Sequence, residues 1–414
     1  MTRVGVVHPG AQHAWQRAAA FQAAGMLGWY ATSAYFHPGS PAVRAADHLP
    51  GRAGRTARAR LLRRHFPLLD HTAVRRMGLA ELGELALHNL GADAPARALN
   101  AWGNRRFGRQ AVELMAREPV DVVWGFDTAA LEVFRRAKPR GIACVLDQTI
   151  GHRRAWAERL AAEHARHPEV FAGRGPARMG ARWLARQDAE LALADRVVCG
   201  SRFAAETLTA RGVDSAKVRV RPYGFDETLW PSEPPRRAPL AGRPLELIFV
   251  GTLTPRKGVA HLLRAMTMVP PGEARLTLVG RRAIPARALA PVRERVTHLP
   301  HAPPGALPEL MRGADLFVLP SLFEGSAVVL NEALAAGLGI VQSAAAGDGA
   351  REDVTGTVLD PVSPQRLAAT IRALAREPAR VARWQANAWA ARHTRTWARY
   401  RAALPALAAG VAPR

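Results

Sequence analysis

What most constrains this chain is an alternation. Short apolar runs that end in Gly, Pro or polar turns are followed repeatedly by stretches with helical periodicity. In the second half the spacing predicts strands at 245–250, 276–279, 316–319 and 340–343, and helices at 259–268, 307–312 and 328–336. The first half predicts strands at 4–7, 120–124, 142–146, 197–199 and 218–221, with long helical stretches between them. Strands apolar on both faces need cover on both faces, which parallel sheets obtain from crossover helices. The expected class is therefore α/β, with Rossmann-like halves.

A chain of 414 residues exceeds what one core usually supports, so two domains are expected. Pro231, Pro234, Pro235, Pro239 and Pro244 fall where neither a helix nor a central strand can continue. This places the domains at 1–235 and 236–394, with a helix over 395–414 returning to the first.

Charge narrows the partners. The formal net charge is +24, yet Lys138, Lys217 and Lys257 are the only lysines, so the excess is arginine spread over an alanine-rich background. Diffuse charge without a recognition motif gives no reason to expect nucleic acid. Arg52, Arg55, Arg58, Arg60, Arg63 and Arg64, interleaved with Leu61 and Leu62 and followed by Phe66, offer either a solvated surface or peripheral contact with anionic membrane. Cys144 and Cys199 sit in strand-like runs with no pairing framework, and neither a leader pattern nor a spanning segment is present, so a cytoplasmic location is expected.

Two motifs carry chemistry. The first, Leu316 through Gly337, reads as a buried strand, a Gly-containing loop and a helix. Free N–H groups at such a helix start would make Gly325, Ser326 and Ala327 a seat for a diphosphate. Glu324 before the loop and Glu332 two turns into the helix, ~12 Å apart by helical rise, would grip hydroxyls at either end. The second is Phe249-Val250-Gly251-Thr252-Leu253-Thr254-Pro255-Arg256-Lys257-Gly258, a strand and glycine turn that lead to two adjacent cations. Arg256 and Lys257 could neutralise a departing phosphate.

These segments resemble glycosyltransferase family 4, retaining enzymes of the GT-B fold, in which two Rossmann-like domains face each other with their parallel sheets across a cleft. The Glu–x7–Glu pair matches Glu324 and Glu332, and Gly251 to Gly258 matches the family's Gly-x-Leu-x-Pro-x-Lys-Gly stretch. The resemblance implies a UDP-, GDP- or ADP-sugar donor and no required metal. It implies transfer to the hydroxyl of a glycan, lipid-linked or small-molecule acceptor. Arg256, Lys257 and Glu324 are then the catalytic residues. Gly251, Thr252, Glu332, Gly325, Ser326, Ala327, His301, Gly224 and Gly10 line the ligand, with Gly10 in the His8-Pro9-Gly10 loop of the first domain. Thr252 stands where many relatives carry an arginine and Asp147 where many carry a histidine, whose space His152 would reach only if its loop bends back. Two alternatives share the pocket: a nucleotide-sugar epimerase and a catalytically inactive nucleotide-sugar-binding protein. Glu163 and His167 have metal-ligand spacing on a helix but no evident third ligand.

Overall fold

The computed structural model describes residues 2–10, 13–171, 179–303 and 305–411. Its contacts group into two compact units. One comprises residues 1–148, 185–198 and 401–414, the other 149–184 and 199–400. Residues 149–184 and 199–235 thus group with the second sheet.

The strands are β1 (Val4–Val7), β2 (Leu27–Thr32), β3 (Val74–Arg76), β4 (Val122–Phe126), β5 (Ala143–Gln148), β6 (Arg196–Cys199), β7 (Val218–Val220), β8 (Leu245–Val250), β9 (Ala274–Val279), β10 (Val296–Leu299), β11 (Leu316–Leu319), β12 (Gly339–Ser343) and β13 (Gly356–Leu359). Through the first unit they run in the order β3-β2-β1-β4-β5-β6. In the second unit the order is β10-β9-β8-β11-β12-β13, and its paired strands are parallel. The expected α/β class is observed.

β1, β4, β5, β11 and β12 are buried at every residue. This is why their sequences read as unbroken apolar runs. The second unit's core packs Phe249, Leu278, Phe317 and Ile340 beneath helix residues Leu262, Met266, Leu334 and Trp384. Three strands escaped the sequence pattern. β2 is interrupted by Gly28, the edge strand β3 is Val-Arg-Arg, and β13 is four residues that begin at a glycine.

Candidate functional site

In a doubly wound sheet, loops at the C-terminal strand ends beside the point where strand order reverses form the ligand crevice. In the second unit that point lies between β8 and β11. Gly251 leaves β8 at φ 146°, its N–H held 2.8 Å from the Val279 carbonyl. A single turn follows at Pro255–Lys257, capped by Thr254, whose Oγ1 accepts the Lys257 N–H at 3.3 Å. Gly258 has φ 67°, and a Cβ there would stand 1.9 Å from the Pro320 carbonyl oxygen. Only glycine satisfies both demands. The Leu322 N–H donates to the Arg256 carbonyl at 2.7 Å, so the basic turn is seated on the end of β11.

This docking brings together the three residues expected to be catalytic. Lys257 Nζ lies 2.6 Å from Glu324 Oε1, and Arg256 Nη1 lies 2.7 Å from Glu324 Oε2. Arg256 Nη1 also donates to the Phe323 carbonyl at 2.7 Å, and Ser321 Oγ to Glu324 Oε1 at 3.2 Å. Burial pushes the Glu324 carboxyl up, but Lys257 and then Arg256 outweigh it and hold it below its ordinary value. Glu332 is the opposite case. Its side chain has no hydrogen-bond or ionic partner among the described residues, and burial alone pushes its carboxyl up to about 7. It is the fifth residue of helix Val328–Ala335, little more than one turn in rather than two.

Of the three amides expected to seat a diphosphate, one is engaged within the protein. Ala327 donates its N–H to the Ala346 carbonyl at 3.3 Å. A Cβ on Gly325 would lie 1.9 Å from the Thr149 carbonyl oxygen, and one on Gly200 would lie 2.5 Å from Ser326 Cβ. Ser201 Oγ donates to the Gly325 carbonyl at 2.5 Å. The loop is therefore walled on two sides, and its glycine permits close packing. Ser201 and Ser321 were missed as site residues although both lie in legible stretches, because a hydroxyl's partner cannot be read from spacing.

Other expectations land elsewhere. Thr252 precedes a bridge between Leu253 and Arg282, so exposed Arg281 and Arg282 flank it. His301 is exposed beyond β10. Gly224 abuts the backbone of Thr396 and Trp397, where a Cβ would come within 2.3 Å of Trp397 N. Its lack of a side chain therefore permits that close pairing. Asp147 is no stand-in for a reactive histidine. It is 1% exposed, pairs with Arg17 Nε at 2.7 Å and Nη2 at 2.9 Å, and accepts from Trp124 Nε1 at 3.1 Å. His152 caps helix Arg153–Arg166, its Nδ1 accepting the Arg154 N–H at 3.2 Å.

Two surface readings also change. Arg64 is buried and bound to Glu81 at 2.6 Å, and Arg58 pairs with Asp47 at 3.0 Å, so neither is free for a membrane. Among the described residues no helix is long and apolar enough to cross one. Glu163 and His167 do gain a third group, His261, with one potential ligand atom from each within 4.8 Å of the others. Arg264 Nη1 already contacts His167 Nδ1 at 2.6 Å and its Nη2 pairs with Glu169. That guanidinium places a positive charge beside the cluster, which disfavours a cation there.

A cavity of about 480 Å³ is lined by Pro271, Arg275, Pro291 and Arg293. It opens where β9 and β10 begin, the end of a parallel sheet that does not bind ligands.

Residues 244–377 match the family model of glycosyl transferases group 1. The chain is 32% identical over 212 residues to D-inositol 3-phosphate glycosyltransferase of Segniliparus rotundus, which covers 46% of either chain. It spans about half the length of the curated relatives it matches. Its structure is similar to that of HepE from Anabaena in complex with UDP-glucose, with a TM-score of 0.61 at 16% identity over 99% of this chain and 100% of that one. It is also similar to trehalose-6-phosphate synthase, studied for glycosyl transfer with retention, with a TM-score of 0.62 at 14% identity over 100% of both. At such identities structural likeness speaks for the fold alone, whereas the loops after β8 and β11 both lie inside the matched stretch. The chain has the GT-B fold, and its residues 244–377 resemble the glycosyl transferases group 1.

Proposed function

We propose that the chain is a retaining glycosyltransferase that moves a hexose from a nucleoside-diphosphate sugar to an acceptor hydroxyl. The observation that carries this reading is the convergence of Arg256 and Lys257 on Glu324 where β8 and β11 end.

Cleavage of the sugar–diphosphate bond sends its electron pair to the departing phosphate oxygen. Fixed cations stabilise that charge more in the transition state than in the ground state. Without a donor, Arg256 and Lys257 share the single carboxylate of Glu324, which leaves one positive charge in excess. With one, the cations face the diphosphate and the carboxylate accepts hydrogen bonds from sugar hydroxyls. Glu332 takes the ribose, where hydroxyl donors supply the partners its carboxyl lacks. The acceptor oxygen bonds to the anomeric carbon on the face the phosphate leaves, and its proton passes to the departing phosphate oxygen. Retention is supported by the family resemblance and by the similarity to trehalose-6-phosphate synthase. UDP-glucose is the first donor to try, given the HepE complex. GDP- and ADP-sugars are the comparison. Because side-chain cations serve the leaving group, no divalent metal is required, and EDTA should leave turnover unchanged.

The test is nucleotide release from UDP-, GDP- and ADP-glucose with candidate acceptors. Transfer is expected from one donor and its loss in Lys257→Ala. An epimerised donor without transfer would replace this reading with an epimerase.

A further inference from the structure

The first unit has its own reversal of strand order, between β1 and β4, and a cavity of about 260 Å³ stands there. Its wall includes the loop after β1, with His8 and Gly10, and the turn after β4, with Thr128. These are C-terminal strand ends, where a parallel sheet binds small molecules. Helices Ala80–Asn89 and Asp93–Arg117 supply Glu81, Glu84, Asn100 and Asn104.

The lining is built rather than incidental. Thr128 has φ 77°, uncommon for a residue with a side chain. The turn is held by buried Glu190, which accepts the N–H groups of Thr128 at 2.7 Å, Ala130 at 3.0 Å and Leu131 at 3.1 Å. Glu81 is oriented by Arg64, and Glu84 Oε2 accepts from Asn100 Nδ2 at 2.6 Å. Asn100 Oδ1 in turn accepts from Asn104 Nδ2 at 3.0 Å. A Cβ on Gly10 would come within 2.9 Å of His8 Cε1 and 3.5 Å of Glu81 Oε1, so glycine keeps this wall open.

Charge then chooses the ligand. In a chain with 58 Lys and Arg, none of the described residues lining this cavity is either one. Two carboxylates face it, and one guanidinium, Arg64, compensates Glu81. Glu84 has an amide and, at 3.9 Å, His88. Burial also holds His8 below its ordinary pKa, so it adds no compensating charge at neutral pH. An anionic ligand would meet uncompensated negative charge, whereas an ammonium group would pair with Glu84.

We propose that this cavity is the acceptor site and that it takes a polyol bearing an ammonium group, such as an amino sugar, and rejects phosphorylated sugars. The proposal rests on the transferase reading given above, and it sets this chain apart from relatives named for a phosphorylated inositol.

The experiment is titration calorimetry on the full chain at low salt with glucosamine, glucose and glucose 6-phosphate as probes, alongside UDP-glucose. Glucosamine should bind at least about tenfold more tightly than glucose, the least expected of one charge-assisted pair, and glucose 6-phosphate should not bind. In Glu84→Gln that preference should disappear while UDP-glucose affinity stays at the wild-type value, which also reports that the variant is folded. Equal affinity for all three probes, no binding of any, or preference for the phosphate would overturn the proposal. The transferase reading fails separately, if no nucleotide sugar binds the wild-type chain.

Discussion

The two units each carry an acid–base cluster at the end of a parallel sheet, and the clusters differ chiefly in access. Asp147 and Arg17 are both 1% exposed, bonded twice to each other and sealed by Trp124. Glu324 is 10% exposed at its side chain, while its partners Lys257 and Arg256 are 14% and 26% exposed. The same residue chemistry is thus a fixed strut in one unit and an available charge in the other. A buried pair gains little over an apolar substitute but is costly to break, whereas a half-open one can exchange partners.

The sharpest way to break the comparison is Asp147→Ala. It leaves Arg17 charged and buried, so denaturant unfolding should show a loss of about 4 kcal/mol. Lys257→Ala should leave the unfolding midpoint near wild type but slow transfer about 100-fold, as removal of one preorganised transition-state contact does. Comparable loss of stability in the two variants would erase the distinction.

Glu332 sharpens it further. Its carboxyl is raised, so the folded chain holds a proton that the unfolded chain has lost between the ordinary glutamate value and about 7. Stability therefore falls as pH rises through that window. Glu332→Gln should stabilise the donor-free protein by about 1 kcal/mol at pH 8 and by nothing near pH 4, after allowance for screening at this partly exposed residue. The same variant should weaken UDP-glucose binding. At the small end, Asp47→Ala breaks a pair in which both side chains are nearly half exposed, and it should move stability by about 0.5 kcal/mol or less.

Much of the second unit was legible because its strands are buried on both faces and its turns are punctuated by Gly251, Gly258 and Pro255. Adjacent cations after one strand and a glutamate after another could be read as one site because strand order places their loops together. The rest depended on tertiary contacts without a periodic trace. Ala327 spends its amide on Ala346, Gly325 packs on Thr149, and His261 joins Glu163 from 98 positions away. Asp147 fell at a position where relatives react, yet Arg17, 130 positions earlier, turns it inward. Edge strand β3, rich in arginine, carried no apolar signal at all.

The most direct test of the central claim is UDP-glucose titration, with turnover, on wild type, Lys257→Ala and Glu332→Ala. Glucose transfer should nearly vanish in the lysine variant while it still folds, and donor affinity should fall at least about tenfold in the glutamate variant. Wild-type binding and wild-type turnover in both would mean that the donor is held somewhere other than the ends of β8 and β11.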